Sequence, residues 1–220
     1  MVLLLRHFFS VLALCCVGLG ASAATGQTIN WSSLTNSLIV DNTGSPLDPT
    51  PESYLFTLGA FDAGFDPLAS NTDEWGTRWH ELDRANYSYT PDDLGYFTST
   101  VSVQSIPEAS YVSLFEGKTA YIWIYNEAQT EQFLSTAGSF WTLPDYDPTC
   151  CSNGEIITWS LSDFKMLAPV VGSQNGVDGG GEIASPGTYD LQTAVVPEPG
   201  PLALFLFVTV AGIRRRRRIQ

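Results

Sequence analysis

The sequence predicts an all-β body, an antiparallel β-sandwich or jelly roll formed as a single domain. Three observations predict it. The stretch "TAYIWIYNE" alternates Tyr121, Trp123 and Tyr125 with Ile122 and Ile124, so both of its faces are bulky and β-prone. Short runs of the same character recur along the chain, separated by turn signals. Only "NEAQTEQFLSTA" has helical character, and it is about three turns at most.

In chain order, a leader comes first. Met1 to His7 is short and basic, an apolar run follows from Phe8 to Leu19, and Ala21-Ser22-Ala23 forms an A-x-A box. This is a signal-peptide pattern, with cleavage expected after Ala23 and Ala24 as second choice. The run is short for a membrane anchor. Residues 24–194 form the body. Its strand candidates are Gln27 to Trp31, Ser37 to Val40, Tyr54 to Phe61, Tyr87 to Tyr89, Tyr96 to Val103, Ala109 to Phe115, the stretch around Trp123, Glu155 to Ser160 and Thr188 to Val195. Turn signals such as "DNTGSP", "DPTP", "TPDDLG", "FEGK" and "CSNG" part them. Residues 172–187 hold six glycines and read as a flexible loop or the beginning of a linker.

Charge separates the body from its tail. The chain carries −13 overall, yet five of its ten basic residues are Arg214, Arg215, Arg216, Arg217 and Arg218. Between residues 24 and 196 there are only Arg78, Arg84, Lys118 and Lys165 against 22 acids, a formal charge of −18. Such a body repels nucleic acid and anionic membrane surfaces. It attracts cations, and Asp178 and Glu182 are candidate ligands for a weakly held calcium ion. "DYDPTCCSNGE" is a poor EF-hand loop, because its glycine is tenth rather than sixth.

Cys15 and Cys16 leave with the leader. Cys150 and Cys151 remain and are adjacent, with Cα atoms about 3.8 Å apart. A strained vicinal disulfide in a loop is the favoured expectation; two free thiols and intermolecular bridges stay open.

Catalytic patterns are sparse. His80 is the one histidine of the body, and "WHELDR" places Arg84 where a second zinc-binding histidine belongs. No G-x-S-x-G elbow occurs. Acidic pairs exist at Asp73–Glu74, Glu81 and Asp83, Asp92–Asp93, and Asp145 and Asp147. They suit a solvated acidic surface, and a glycan-active hydrolase using a carboxylate pair is the rival reading. The six tryptophans suit a β core. Trp75 and Trp79, set among polar residues, are the candidates for exposed rings that stack on sugar.

The tail has three parts. Residues 197–201, "PEPGP", make a stiff, extended stretch. Leu202 to Ile213 is a short, uncharged transmembrane helix, about 18 Å long at 1.5 Å per residue against a roughly 30 Å hydrocarbon core. Counting from Gly200 and letting the arginine stems snorkel closes part of that gap. The five arginines then stop transfer on the cytoplasmic side.

Val196, Pro197, Glu198 and Pro199, the apolar helix and the arginine cluster, in that order, resemble the PEP-CTERM sorting signal of Gram-negative bacteria. The resemblance covers residues 195–220 and leaves the body undescribed. It implies export, anchoring in the inner membrane by the tail helix, and processing near the motif by an exosortase. Delivery to the cell surface or the exopolysaccharide matrix follows. The combined expectation is a non-enzymatic structural or adhesive protein with glycan contact.

Overall fold

The computed structural model describes residues 26–34, 37–48, 53–90, 95–149, 154–164, 169–185, 187 and 189–196. Among these the chain is mostly β, with two short helices. The elements are β1 (Gln27–Ser32), β2 (Ile39–Val40), β3 (Tyr54–Phe61), α1 (Thr72–Arg78), β4 (Trp79–Ser88), β5 (Tyr96–Ser102), α2 (Glu108–Leu114), β6 (Tyr121–Asn126), β7 (Glu131–Ser135), β8 (Glu155–Ser160), β9 (Ser173–Gln174), β10 (Val177–Asp178), β11 (Leu191–Gln192) and β12 (Ala194–Val195).

A curled eight-stranded sheet runs β12-β7-β6-β3-β4-β5-β1-β8, and a small four-stranded sheet runs β10-β9-β11-β2. Most neighbours are antiparallel, but β1–β8 and β2–β11 are parallel. The partners in each parallel pair are far apart in sequence, so no tight hairpin constrains their direction.

Period-2 patterning decides which side chains go inside. Phe56, Leu58 and Ala60 of β3 join Ile122 and Ile124 of β6, Ile29 and Trp31 of β1, and Phe97 of β5 in the main core. The opposite face of β3, β6 and β7 carries a second core of Phe61, Trp123, Tyr125 and Leu134. Helix α1 covers this second face through Trp75, and Val171, Ala194 and Val196 complete it. The middle of β6 is therefore buried on both sides; its doubly bulky sequence left open either this or an exposed aromatic face, and the structure takes the first.

Three local expectations give way. The segment around "NEAQTEQFLSTA" forms the β6–β7 hairpin, not a helix. The Asn126 carboxamide accepts from the N–H groups of Thr130 and Glu131, and Gln129 sits at φ 54°. Pairing of Ile124 with Phe133 and burial of residues 132–135 override the helix propensity of Glu, Ala and Gln. Conversely, 109–115 is mostly helix α2, not strand. Pro107 precedes it, Glu108 complements its N-terminal dipole, and the Tyr111 and Phe115 rings meet at a tilt one turn apart at 5.8 Å.

The third difference concerns the described residues of the glycine-rich segment, 172–185 and 187, where strand structure and packing occur. They contain β9 and β10 and are docked on the large sheet. Gly172 (φ 89°) and Gly181 (φ 88°) adopt left-handed backbone. A Cβ on Gly172 would lie 2.5 Å from the Gln192 carbonyl, and one on Gly179 or Gly180 would strike the backbone or side chains of 169–170 and Ala69. These glycines serve close packing.

Val195 pairs with Glu131 in the sheet and exchanges two backbone hydrogen bonds with Glu182. Val196 is buried, and its N–H donates to the Thr130 carbonyl at 2.9 Å. Val196, expected to open the tail motif, is thus packed into the body. No helix among the described residues is long and apolar enough to cross a membrane.

Candidate functional site

Trp75 is not an exposed ring. It is fully buried, its Nε1–H donates to Asn71 Oδ1 at 3.0 Å, and its ring meets Trp123 edge-on at 5.8 Å. The polar neighbours that suggested exposure lie on the other side of α1, where Asp73, Glu74 and Thr77 face water. Trp75 is the one buried residue of this seven-residue helix.

Trp79 is half-buried and belongs to the same cluster, edge-on to Phe61 at 5.1 Å and to Trp123 at 5.4 Å. Its ring lies over Gly59, where a Cβ would come within 2.7 Å. Its Nε1–H is buried without a hydrogen-bond partner.

The other expected sites divide by location. Ala21, Ala23, Cys150, Cys151, Pro197, Glu198, Pro199 and Arg214 to Arg218 lie outside the described residues. Asp178 and Glu182 are described and exposed. No group of three or more His, Cys, Asp or Glu residues suited to a metal occurs among the described residues.

The acidic pairs among the described residues are engaged in structure or open to water. Glu81 accepts from Arg84 at 2.9 Å, and Asp83 accepts the indole N–H of Trp31 at 2.7 Å. Asp147 caps the Thr149 N–H at 2.7 Å, and Asp145 is exposed. Asp92 and Asp93 lie outside the described residues.

What the fold does assemble is a cleft of about 290 Å³ where two turns meet. The first turn is Asp62-Ala63-Gly64-Phe65, closed by the Phe65 N–H on the Asp62 carbonyl at 3.0 Å. The second is Phe115-Glu116-Gly117-Lys118, closed in the same way at 3.0 Å. Each turn needs positive φ at its third position, and glycine supplies it: Gly64 at 80°, Gly117 at 68°. Neither glycine has an atom within 4 Å of where a Cβ would stand, so bare backbone leaves the cleft open.

Aromatic rings line this cleft. Phe61 meets Phe65 at 5.3 Å and Tyr121 at 5.4 Å. Phe61 is buried, while Phe65 and Tyr121 are half-exposed. Burial, with a smaller contribution from the Asp66 charge, pushes the Tyr121 hydroxyl up, so it stays protonated as a donor. Thr119 adds a hydroxyl.

Asp62 and Lys118 are the two charged residues of the lining. His80 Nε2 lies 2.7 Å from Asp62 Oδ1, and Arg78 reaches Oδ2 at 3.3 Å. These two hydrogen bonds, His80 first, hold the Asp62 carboxyl below the usual carboxylate value. An ionised carboxylate only accepts, so Nε2 carries the proton of that bond. Asp62 is therefore a fixed acceptor at the rim.

A larger cleft of about 400 Å³ lies beside Leu38, Asn175 and Tyr189. Its polar groups are engaged in holding the small sheet: Asp190 accepts from the Leu38 N–H at 2.7 Å, and the Tyr189 hydroxyl bonds Ser173 Oγ at 2.7 Å.

Phe65, Tyr121, Asp62 and Lys118 were not legible as a group. Each turn carries its glycine signal, and "FEGK" reads as a turn, but the two are some fifty residues apart. No family model, curated protein or solved structure matches the chain.

Proposed function

We propose that this chain is a PEP-CTERM-type surface or matrix protein. It is exported by its leader, anchored in the inner membrane by its tail helix and processed near Pro197-Glu198-Pro199 by an exosortase-type enzyme. It is then delivered to the cell surface or the exopolysaccharide matrix. There the body acts without catalysis, as a structural or adhesive module with glycan contact. The order of motif, apolar run and arginines supports the address. In this reading the body is a jelly-roll-like sandwich, with the small sheet closing over the curled large one.

The observation that carries the glycan contact is the cleft. Aromatic faces at Phe65 and Tyr121 suit the CH faces of a sugar ring, and Asp62, fixed by His80 and Arg78, accepts from its hydroxyls. Its volume is at the small end of the roughly 300–1,000 Å³ typical of ligand sites, which fits one or two sugar rings.

Intact-mass measurement of the mature protein tests the address: residues 1–23 and the arginine tail should be missing. Recovery of the complete C-terminus in the cytosol overturns it. A glycan array run beside a hydrolysis screen tests the role. Turnover that disappears on replacing one Asp or Glu refutes the non-enzymatic reading.

A further inference from the structure

We propose that the cleft selects a sugar ring bearing a single carboxylate, a uronic-acid residue in an otherwise neutral glycan; this rests on the glycan reading above. The case starts from Lys118. Arg78 pairs with Asp62 and Glu74, and Arg84 pairs with Glu81. Lys118 makes no ion pair among the described residues, although the body carries 22 acids. It stands half-exposed in the lining of the cleft.

The cleft thus offers one unpaired cation, one fixed anion and aromatic rings. That set is matched by a ring with a carboxylate on one edge and hydroxyl donors on the other. The carboxylate takes Lys118, a hydroxyl donates to Asp62, and the apolar face lies on Phe65 or Tyr121. A densely charged polyanion does not fit, because a body of −18 repels it. One isolated charge feels little of that field beyond about 8 Å at physiological salt, so the local lysine dominates.

The test uses the full chain in detergent, titrated by calorimetry with cellotriose and with the same trisaccharide carrying one glucuronate in place of one glucose. A hydrogen bond to a charged group amounts to roughly tenfold in affinity. The uronate sugar should therefore bind about tenfold tighter, and Lys118→Met should erase that preference. Arg84→Met removes the same charge outside the cleft and should leave the preference intact. Equal binding of the two sugars by the native chain overturns the uronate assignment and leaves the glycan reading standing. A preference that survives Lys118→Met, or that falls equally in Arg84→Met, overturns it as well. Failure of both sugars to bind removes the glycan reading itself.

Discussion

Replacing Glu131 should loosen the junction between the body and its tail. The Glu131 carboxylate accepts from the Tyr54 hydroxyl at 2.6 Å, from Thr193 Oγ1 at 2.9 Å and from the backbone N–H of Asn42. It thereby ties β3, the chain beyond β2 and the approach to β12 to one point on β7, opposite Val195. A hydrogen bond to a charged group contributes about 1.5–3 kcal/mol net. The three bonds share one partly exposed acceptor and are not additive, so Glu131→Ala should cost about 3–4 kcal/mol. For a body of this size that lowers Tm by roughly 10 °C. Glu131→Gln keeps an acceptor without the charge and should cost about half as much. Urea denaturation followed by tryptophan fluorescence gives the free energies. Hydrogen exchange should show the amides of Val195 and Val196 losing protection before the rest of the sheet. A Glu131→Ala chain within about 1 kcal/mol of native stability would refute the assignment of these bonds as net stabilising.

Trp75→Ala should cost about 3–5 kcal/mol in the same urea assay, whereas an exposed tryptophan would cost within about 0.5 kcal/mol. Gly172→Ala forces a Cβ against the Gln192 carbonyl and the Phe133 ring and should cost well over 2 kcal/mol. Gly176→Ala meets open space at φ 76° and should cost only about 1–2 kcal/mol of backbone strain; equal costs would mean that the glycines are not packing positions. Burial raises the hydroxyls of Tyr54, Tyr87 and Tyr111 above their ordinary value of about 10. Protons are then held more tightly in the folded chain, so this stability is full below pH ~10 and lost as pH rises past it. A stability curve flat to pH 12 contradicts that. On the acid side, NMR should find the Asp62 carboxyl titrating below an ordinary aspartate. His80→Ala should move it upward, because the His80 bond is the larger cause.

How much of this was legible can be followed residue by residue. "TAYIWIYNE" announced a strand, but its two bulky faces fitted either double burial or an exposed aromatic face; the structure covers both, with the main core and the α1-capped cluster. "NEAQTEQFLSTA" misled because helix propensity is a weak local preference, which pairing with β6 outweighs. The glycines of 172–187 misled for another reason. Glycine marks either freedom or close approach, and only the neighbour at the missing Cβ distinguishes them.

Trp75 shows the same limit from the other side. The polar setting was real, but a helix turns those residues to water and the indole inward. Phe65, Tyr121 and Asp62, which the sequence did not group, are the ring and acid residues that the fold sets together in one cleft.

By itself the sequence determined what is local and compositional: β-rich patterning, an acidic body of −18, and a tail whose apolar run and arginines are contiguous. These need no partner elsewhere in the chain. The tertiary structure alone decided which tryptophans are core, which glycines are contacts and where a cleft opens. Each depends on residues brought together across long loops: Gly64 beside Gly117, Gly172 against Gln192, Glu131 beneath Tyr54 and Thr193. Periodicity reports the face of an element, and long-range register decides what that face meets.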